Sequence, residues 1–361
     1  ETLNQKAAAS LPLNGRDSLK LALITPGVLA GFKSPSGLPG GGEDFIGPGT
    51  REVQNSISLD GVSIMTNLIN TTSIRPSVDA VQEVQVQTGT YPADYGGYMG
   101  VQINLISKSG TNSLHGSVFE FTRNNWLDAR GFFNAVGTPQ APFRQNQYGF
   151  ELDGPIVIPK LYDGRNKTFF MVNYEGLRNS AATASIATEM TPLMRQGNFS
   201  ELLGESKPVV LHNPFDPARG AFLGNIIPSN LFSPQALKAM QYLPLPNLPG
   251  PTNNYAANVL TGNNTNQTID RIDQSLGEKV RLFFRYAWED STLLANSTNP
   301  YNGFNQNVKD KNFVVGYTQV LTSNSVNDLR FARQYTTIDE ANFFATPDLA
   351  NAGTDLSIPG F

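Results

Sequence analysis

The sequence predicts a small α+β unit, residues 1–111, followed by antiparallel strands of an incomplete transmembrane β-barrel, residues 112–361. Three observations carry this prediction. Segments of about 9–11 residues alternate between apolar and polar side chains, the length and period of strands that cross a bilayer tilted. Their connections run long, short, long, short down the chain. Aromatic residues (Tyr174, Tyr286, Trp288 and Tyr335) stand at strand ends, where interfacial girdles form.

The N-terminal elements come first. Asp17 is placed to cap a helix over 17–24, with Leu19, Leu23 and Ile24 on one face and Pro26-Gly27 as its stop. Residues 31–50, GFKSPSGLPGGGEDFIGPGT, form a loop by composition. ISLDGV (57–62) reads as a strand entering a turn, and VQEVQVQ (81–87) and VQINLIS (101–107) alternate as strands.

Beyond Thr111 the strands lengthen. KVRLFFRYAW (279–288) puts Val280, Leu282, Phe284, Tyr286 and Trp288 on one face and Arg281, Phe283 and Arg285 on the other. QYGFELDG (147–154), TFFMVNYEG (168–176) and SVFEFTR (117–123) repeat the pattern, NFVVGYTQV (312–320) and NDLRFARQY (327–335) more weakly, and 266–274 is mostly polar. The lipid-facing set is therefore Phe119, Phe121, Tyr148, Phe150, Leu152, Phe170, Val172, Tyr174, Leu282, Phe284 and Tyr286. Long extracellular loops are expected at 124–145, 178–265 and 290–311, with tight turns at 276–278 and 322–325. A soluble sandwich also alternates, with one wet face, but has no reason to alternate its connection lengths. Seven strands leave two edges that lipid does not tolerate, so the protein is expected to continue past Phe361.

Bulk composition narrows the classes of function. The chain has 361 residues, no cysteine, 39% hydrophobic and 16% charged residues and a formal charge of −4. A disulfide scaffold and thiolate metal ligation are excluded. So mild a charge supplies no electrostatic footprint for nucleic acid. The longest apolar run, Leu19 to Phe32, holds Lys20, Pro26 and Gly27 and is too short and broken to span as a helix.

No constellation of catalytic residues emerges, and no metal or cofactor is called for. His115 and His212 lie far apart and read as polar surface or lumen residues. GLPGGGEDFIG (37–47) lacks the Lys-Ser/Thr of a phosphate loop. Asp60, Asp79, Glu83 and Asp94 fall at strand and turn positions, where capping roles account for them. Ser63 and Ser117 lack a nucleophile-elbow context. The proline-rich stretch LPLPNLPGP (243–251) lies within the longest loop, read as an ordered cap over the ligand side.

What remains is a set of glycine and aromatic motifs. LDGV (59–62), PSVDAVQEVQVQTGTYPADYGG (76–97) and GVQINLISKSGT (100–111) resemble the plug domain of TonB-dependent outer-membrane receptors. LPLNGRD with LITPGV (11–28), QNQYGFELDGPIVIPKLYDGRNKTFFMVNYEGLR (145–178) and DRIDQSLGEKVRLFFRYAW (270–288) resemble the Oar-like branch. Gln82 and Gln85 depart from the charged residues usual at those positions.

The resemblance implies a plug whose structural motif is Asp60, Gly61, Gly89, Tyr95, Gly96, Gly97, Gly100 and Gly110. It implies active uptake of a large, scarce solute, with TonB and the proton-driven inner-membrane motor as partners. The whole barrel would have roughly 22 strands, and the TonB box and a carboxypeptidase-regulatory-like domain would lie upstream. Expected solute contacts are Phe32, Phe45, Tyr91, Tyr95, Trp126, Phe132 and Phe133. The alternatives are a passive outer-membrane barrel or surface adhesin without energy coupling, and a secreted glycan-binding β protein.

Overall fold

The computed structural model describes residues 2–4, 16–31, 45–66, 70–89, 91, 98–129, 141–296 and 303–342. The first strands are β1 (Thr2–Asn4), β2 (Leu29–Ala30), β3 (Phe45–Ile46), β4 (Ser56–Leu59), β5 (Val62–Ser63), β6 (Val81–Gln87) and β7 (Gln102–Ser107). Five of them form a sheet in the order β1-β6-β7-β4-β5, with β4 and β7 parallel and the other neighbours antiparallel. β2 and β3 pair separately. The alternation in 81–87 and 101–107 thus becomes β6 and β7 as expected.

The expected helix at 17–24 forms as a 3-10 helix, Ser18–Ile24, capped by Asp17, whose side chain accepts from Leu19 N at 3.0 Å. Its buried residues are Ser18, Leu19, Leu21 and Ala22. Ile24, expected on the packed face, is exposed; it is the last residue of the helix, where the chain leaves through the Thr25 cap. The core of this unit gathers Leu19, Leu21, Leu59, Ile64, Ile103 and Leu105, all nearly or fully buried. Each such side chain contributes about 1.5–3 kcal/mol on burial.

The remaining strands are β8 (His115–Asn124), β9 (Phe143–Pro155), a small hairpin of β10 (Val157–Ile158) and β11 (Tyr162–Asp163), β12 (Thr168–Ala187), β13 (Tyr255–Leu276), β14 (Val280–Asn296), β15 (Gly303–Thr322) and β16 (Ser325–Asn342). Seven make one sheet in the order β16-β15-β14-β13-β12-β9-β8, every pair antiparallel. β8 and β16 are its edges.

These strands are longer than the sequence pattern suggested. β14 and β15 stay paired to Asn296↔Gly303, so strand pairing takes up 290–296 and 303–311 of the loop expected over 290–311. The loop expected over 178–265 is confined to 188–254, and β8 and β9 extend to Asn124 and back to Phe143 at the bounds of that expected over 124–145. The physical reason is that both faces are wet above the lipid. Backbone pairing continues there while hydrophobic alternation, the only signal available, stops.

Register assigns the faces. Buried Arg285, Ala287, Glu289 and Ser291 alternate with outward Phe284, Tyr286 and Trp288 on β14. Glu151 and Asp153 on β9, and Asn173 and Glu175 on β12, are buried on the same inner face. On the outside, Tyr174, Thr268, Trp288, Lys311 and Tyr335 fall on one lateral row across β12 to β16. Three of the four residues read as a girdle thus share a line, with Tyr286 one row below.

Strand β8 corrects the expected lipid-facing set. Phe119 pairs with Gly149 and Phe121 with Gln147, on the side of buried Glu151, so both rings face inward. Arg16 of the N-terminal unit lies over both, 5.2 Å from the Phe119 centroid and 4.5 Å from that of Phe121. The outward residues of β8 are Gly116, Val118, Glu120, Thr122 and Asn124. Sequence alternation states which residues share a face but not which face is buried, and on β8 the bulkier set is the inward one.

The N-terminal unit packs on the inner face of the large sheet. Met171, Ile269 and Ala287, from β12, β13 and β14, join its apolar core. Most other inner-face residues it covers are polar.

Candidate functional site

The best-defined cluster lies where the N-terminal unit meets the large sheet. β4 and β5 form a two-residue hairpin, with Leu59 opposite Val62. Its turn residues, Asp60 and Gly61, have φ values of 54° and 76°. Two successive positive φ values match a type I′ turn, for which Asp-Gly is a favoured pair.

That turn is clasped by arginines from three strands of the sheet. The Asp60 carboxylate accepts from Ser107 N (2.9 Å) and Ser107 Oγ (2.8 Å), which ties it to β7. Its Oδ1 accepts from Arg271 Nη1 at 3.2 Å, and its Oδ2 lies 2.9 Å from Arg285 Nε. The second contact is an ion pair at close range, not an aligned hydrogen bond, and Arg285 Nε has no aligned acceptor. Arg285 instead donates through Nη2 to Leu59 O at 3.4 Å and to Asn312 Oδ1 at 2.9 Å. Arg330 Nη1 donates to Asp60 O at 3.3 Å. A Cβ at Gly61 would collide with the Arg330 guanidinium, so glycine serves both the backbone angle and the clasp.

The charges balance locally. Arg271 also holds Asp273 through Nη2 (2.8 Å) and stacks on Phe283, 4.6 Å from its centroid. Two carboxylates, Asp60 and Asp273, therefore face two guanidiniums, the half-buried Arg271 and the fully buried Arg285. Removing one partner from such a buried set typically costs about 3–5 kcal/mol, because the remaining charge cannot recover its hydration.

Further polar contacts surround the clasp. Arg75 N donates to Glu289 Oε2 at 3.1 Å, while its guanidinium pairs with Asp17 at 2.7 Å. Gln334 Nε2 donates to Ser73 Oγ at 2.6 Å, Ser109 Oγ to Asp273 Oδ2 at 2.8 Å, and Lys108 lies 3.5 Å from Glu151. Apart from Met171, Ile269 and Ala287, the inner face here is polar, and so are the groups of the N-terminal unit that meet it. Nucleophile–base geometry is missing here, and no His/Asp/Glu group suited to a metal occurs among the described residues.

The motif glycines divide by role. At Gly100 a Cβ would lie 2.5 Å from Asn55 Oδ1 and 2.7 Å from Gln54 O. At Gly110 it would lie 2.5 Å from Phe170 O. Both positions require a bare backbone. Gly89 has φ 82° in open space. Tyr95, Gly96 and Gly97 lie outside the described residues, as do Phe32, Phe132 and Phe133.

Of the expected solute contacts, Phe45 is overturned. It is 4% exposed and packs in the core of the N-terminal unit, where no solute reaches it. Tyr91 is half-buried and donates to Tyr98 O at 2.7 Å, and Trp126 is exposed after β8. Sequence reasoning missed the arginine clasp. Its cations are far apart in the chain, and only the shared inward parity of Arg271, Arg285 and Arg330 could have pointed to it.

The segment 188–254 is folded. Arg195 donates to Met240 O, Leu243 O and Pro244 O at 2.7–2.9 Å. Asn225 accepts from Leu211 N (2.8 Å) and donates to Val209 O (2.7 Å). Backbone N–H donors from Ala218 and Gly220 hold the Asp216 carboxyl below the usual carboxylate range.

Comparison with known proteins decides the family. Residues 106–361 match the family model described as an outer membrane beta barrel domain. The chain belongs to that family. The barrel's place is the bacterial outer membrane, which sets aside the secreted glycan-binding alternative. Over 156 residues the barrel chain is 31% identical to the TonB-dependent transporter Oar of Myxococcus xanthus, covering 40% of this chain and 15% of that protein. The crystal structure of the outer membrane transporter YddB from Escherichia coli superposes with a TM-score of 0.55 at 12% identity, covering 93% of this chain and 38% of that one. The barrel chain thus spans a minor part of the length of both proteins. Both are transporters and neither is an enzyme.

Proposed function

We propose that the N-terminal unit, residues 1–111, is a plug seated in the barrel lumen, and that the protein is a TonB-dependent receptor for active uptake of a large, scarce solute. The observation that carries this reading is the clasp of Asp60-Gly61 by Arg271, Arg285 and Arg330. The two residues held are the Asp-Gly pair on which the resemblance to plug domains rests. A plug must leave its seat and return, so its contacts with the wall should be ones that water can replace. Polar contacts meet that requirement better than an apolar seam, whose exposure costs about 25 cal/mol per Å².

In this reading the solute docks on the extracellular side, against Trp126, Tyr91 and the folded cap 188–254. TonB, driven by the inner-membrane proton motor, then pulls the plug and opens a path. The 31% identity to a TonB-dependent transporter supports the coupling. Gating needs no catalytic group and no cofactor.

Binding of the full-length receptor to the purified periplasmic domain of TonB tests the coupling. Saturable binding that is lost when the segment upstream of the plug is removed is expected. Absence of binding would overturn energy coupling in favour of a passive barrel or adhesin.

A further inference from the structure

The outer face of the barrel carries a cleft that the transport reading does not use. It has a volume of about 370 Å³ and is lined by Arg144, Asn146, Arg178, Ser180, Asn264 and Thr292, among others. All six lie on the lipid-facing side, since Arg178 shares the parity of Tyr174 and pairs with Asn146 and Asn264. The strands involved, β9, β12, β13 and β14, are all interior to the sheet.

The cleft stands directly above the aromatic row. Tyr174 Oη donates to Asn266 Oδ1 at 2.9 Å, and Arg178 Nη2 donates to the same oxygen at 2.7 Å. The Arg178 guanidinium lies 5.7 Å from the Tyr148 centroid, and its Nη1 donates to Leu177 O (2.8 Å) and Thr265 O (2.9 Å). Arg178 is ten residues beyond Thr168, the start of β12 at the short-turn end. At ~3.3 Å per residue and a tilt of ~40°, that is roughly 25 Å up the barrel, the height of the apolar band. A guanidinium is thus fixed in place where outer-leaflet head groups begin. Arg144 is exposed and free of any ion pair among the described residues. Two carboxylates stand on this face one row lower, Asp290 beside Lys309 and Glu120 beside Tyr148, and neither shares a row with Arg144 or Arg178.

We propose that this cleft binds the phosphate of an outer-leaflet glycolipid, the phosphorylated diglucosamine of lipopolysaccharide, on the Arg144 and Arg178 guanidiniums. Asn146, Ser180, Asn264 and Thr292 supply the amides and hydroxyls that suit the sugar beside the phosphate. Guanidiniums bind phosphate in two-pronged fashion, and one already held rigid loses little entropy in doing so. The site rests on the outer-membrane placement of the barrel and is independent of plug gating.

The test is native mass spectrometry of the full-length protein in detergent, titrated with lipid A, with dephosphorylated lipid A, and with lipid A against millimolar inorganic phosphate. Arg144→Glu is the primary variant, because the exposed, unpaired side chain leaves the fold undisturbed; Arg178→Gln is the second. Wild type is expected to bind lipid A about tenfold more tightly than Arg144→Glu. Dephosphorylated lipid A should bind wild type no better than the variant binds lipid A, and inorganic phosphate should not compete. Equal binding by wild type and Arg144→Glu would overturn the site. So would equal binding of the two lipids, which would locate the contacts in the acyl chains. Displacement by inorganic phosphate would reassign the cleft to a free anion.

Discussion

Arg285 of β14, with no solvent exposure, places its Nε 2.9 Å from Oδ2 of Asp60 in the β4–β5 turn. The two residues lie 225 positions apart in the chain. The contact joins a wall strand to the N-terminal unit through charge, at a point where both partners are buried.

Asp60→Ala removes the acid and leaves Arg285 buried without its counter-charge. A loss of about 3–5 kcal/mol in the seating of the N-terminal unit is expected. Replacing both, Asp60→Ala with Arg285→Met, should restore part of it, since an apolar pair of similar volume needs no compensation. Hydrogen exchange of β4 and β7 reports seating, and heat-modifiable migration on gels reports barrel insertion. Loss of insertion in Asp60→Ala would show that the clasp serves the wall itself.

Phe284 and Phe283 face opposite ways. Phe284 lies outward between Ile272 and Val315, while Phe283 lies inward beneath the Arg271 guanidinium. Phe284→Arg should cost about 2–4 kcal/mol in lipid, the range for a midplane cation. Phe283→Arg should cost less than half as much. Reversible unfolding in vesicles measures both, and equal costs would reject the facing.

The inward orientation of Phe121 is open to a double-mutant cycle with Arg16. A coupling of about 0.5–1 kcal/mol is expected for the cation–π contact. Zero coupling in Arg16→Ala and Phe121→Ala, read from unfolding of the N-terminal unit, would return Phe121 to the lipid side.

At Gly100 a side chain has nowhere to go, because Gln54 O and Asn55 Oδ1 occupy the space. Gly100→Ala should destabilise the N-terminal unit by about 1–3 kcal/mol through forced separation of that backbone. The barrel should still insert. Unchanged exchange protection at Val101 N, which donates to Asn55 Oδ1 at 2.9 Å, would contradict this.

The Asp216 turn in the cap should respond to acid. Its carboxylate accepts from Ala218 N and Gly220 N, both at 2.9 Å, and its pKa is lowered from 3.8. The turn's stabilisation is then full above about pH 4 and lost as pH falls through the lowered value. Amide resonances of Ala218 and Gly220 should shift only below that range, and a transition near neutrality would refute the assignment.

Much of this architecture was legible in the sequence. Alternation in 279–288 and 168–176 revealed β14 and β12, and the Asp60-Gly61 pair revealed a turn, because period and turn chemistry are local properties of the chain. The strand ends were not legible, since pairing above the lipid leaves both faces wet and erases the alternation. Neither was the inward turn of Phe119 and Phe121: period two names a face without saying what covers it, and only the register of β8 on β9 and the stacked Arg16 decided it. The clasp belongs wholly to the tertiary structure. Arg271, Arg285 and Arg330 become neighbours of Asp60 because adjacent antiparallel strands bring their inward positions onto one surface, and no spacing along the chain encodes that proximity.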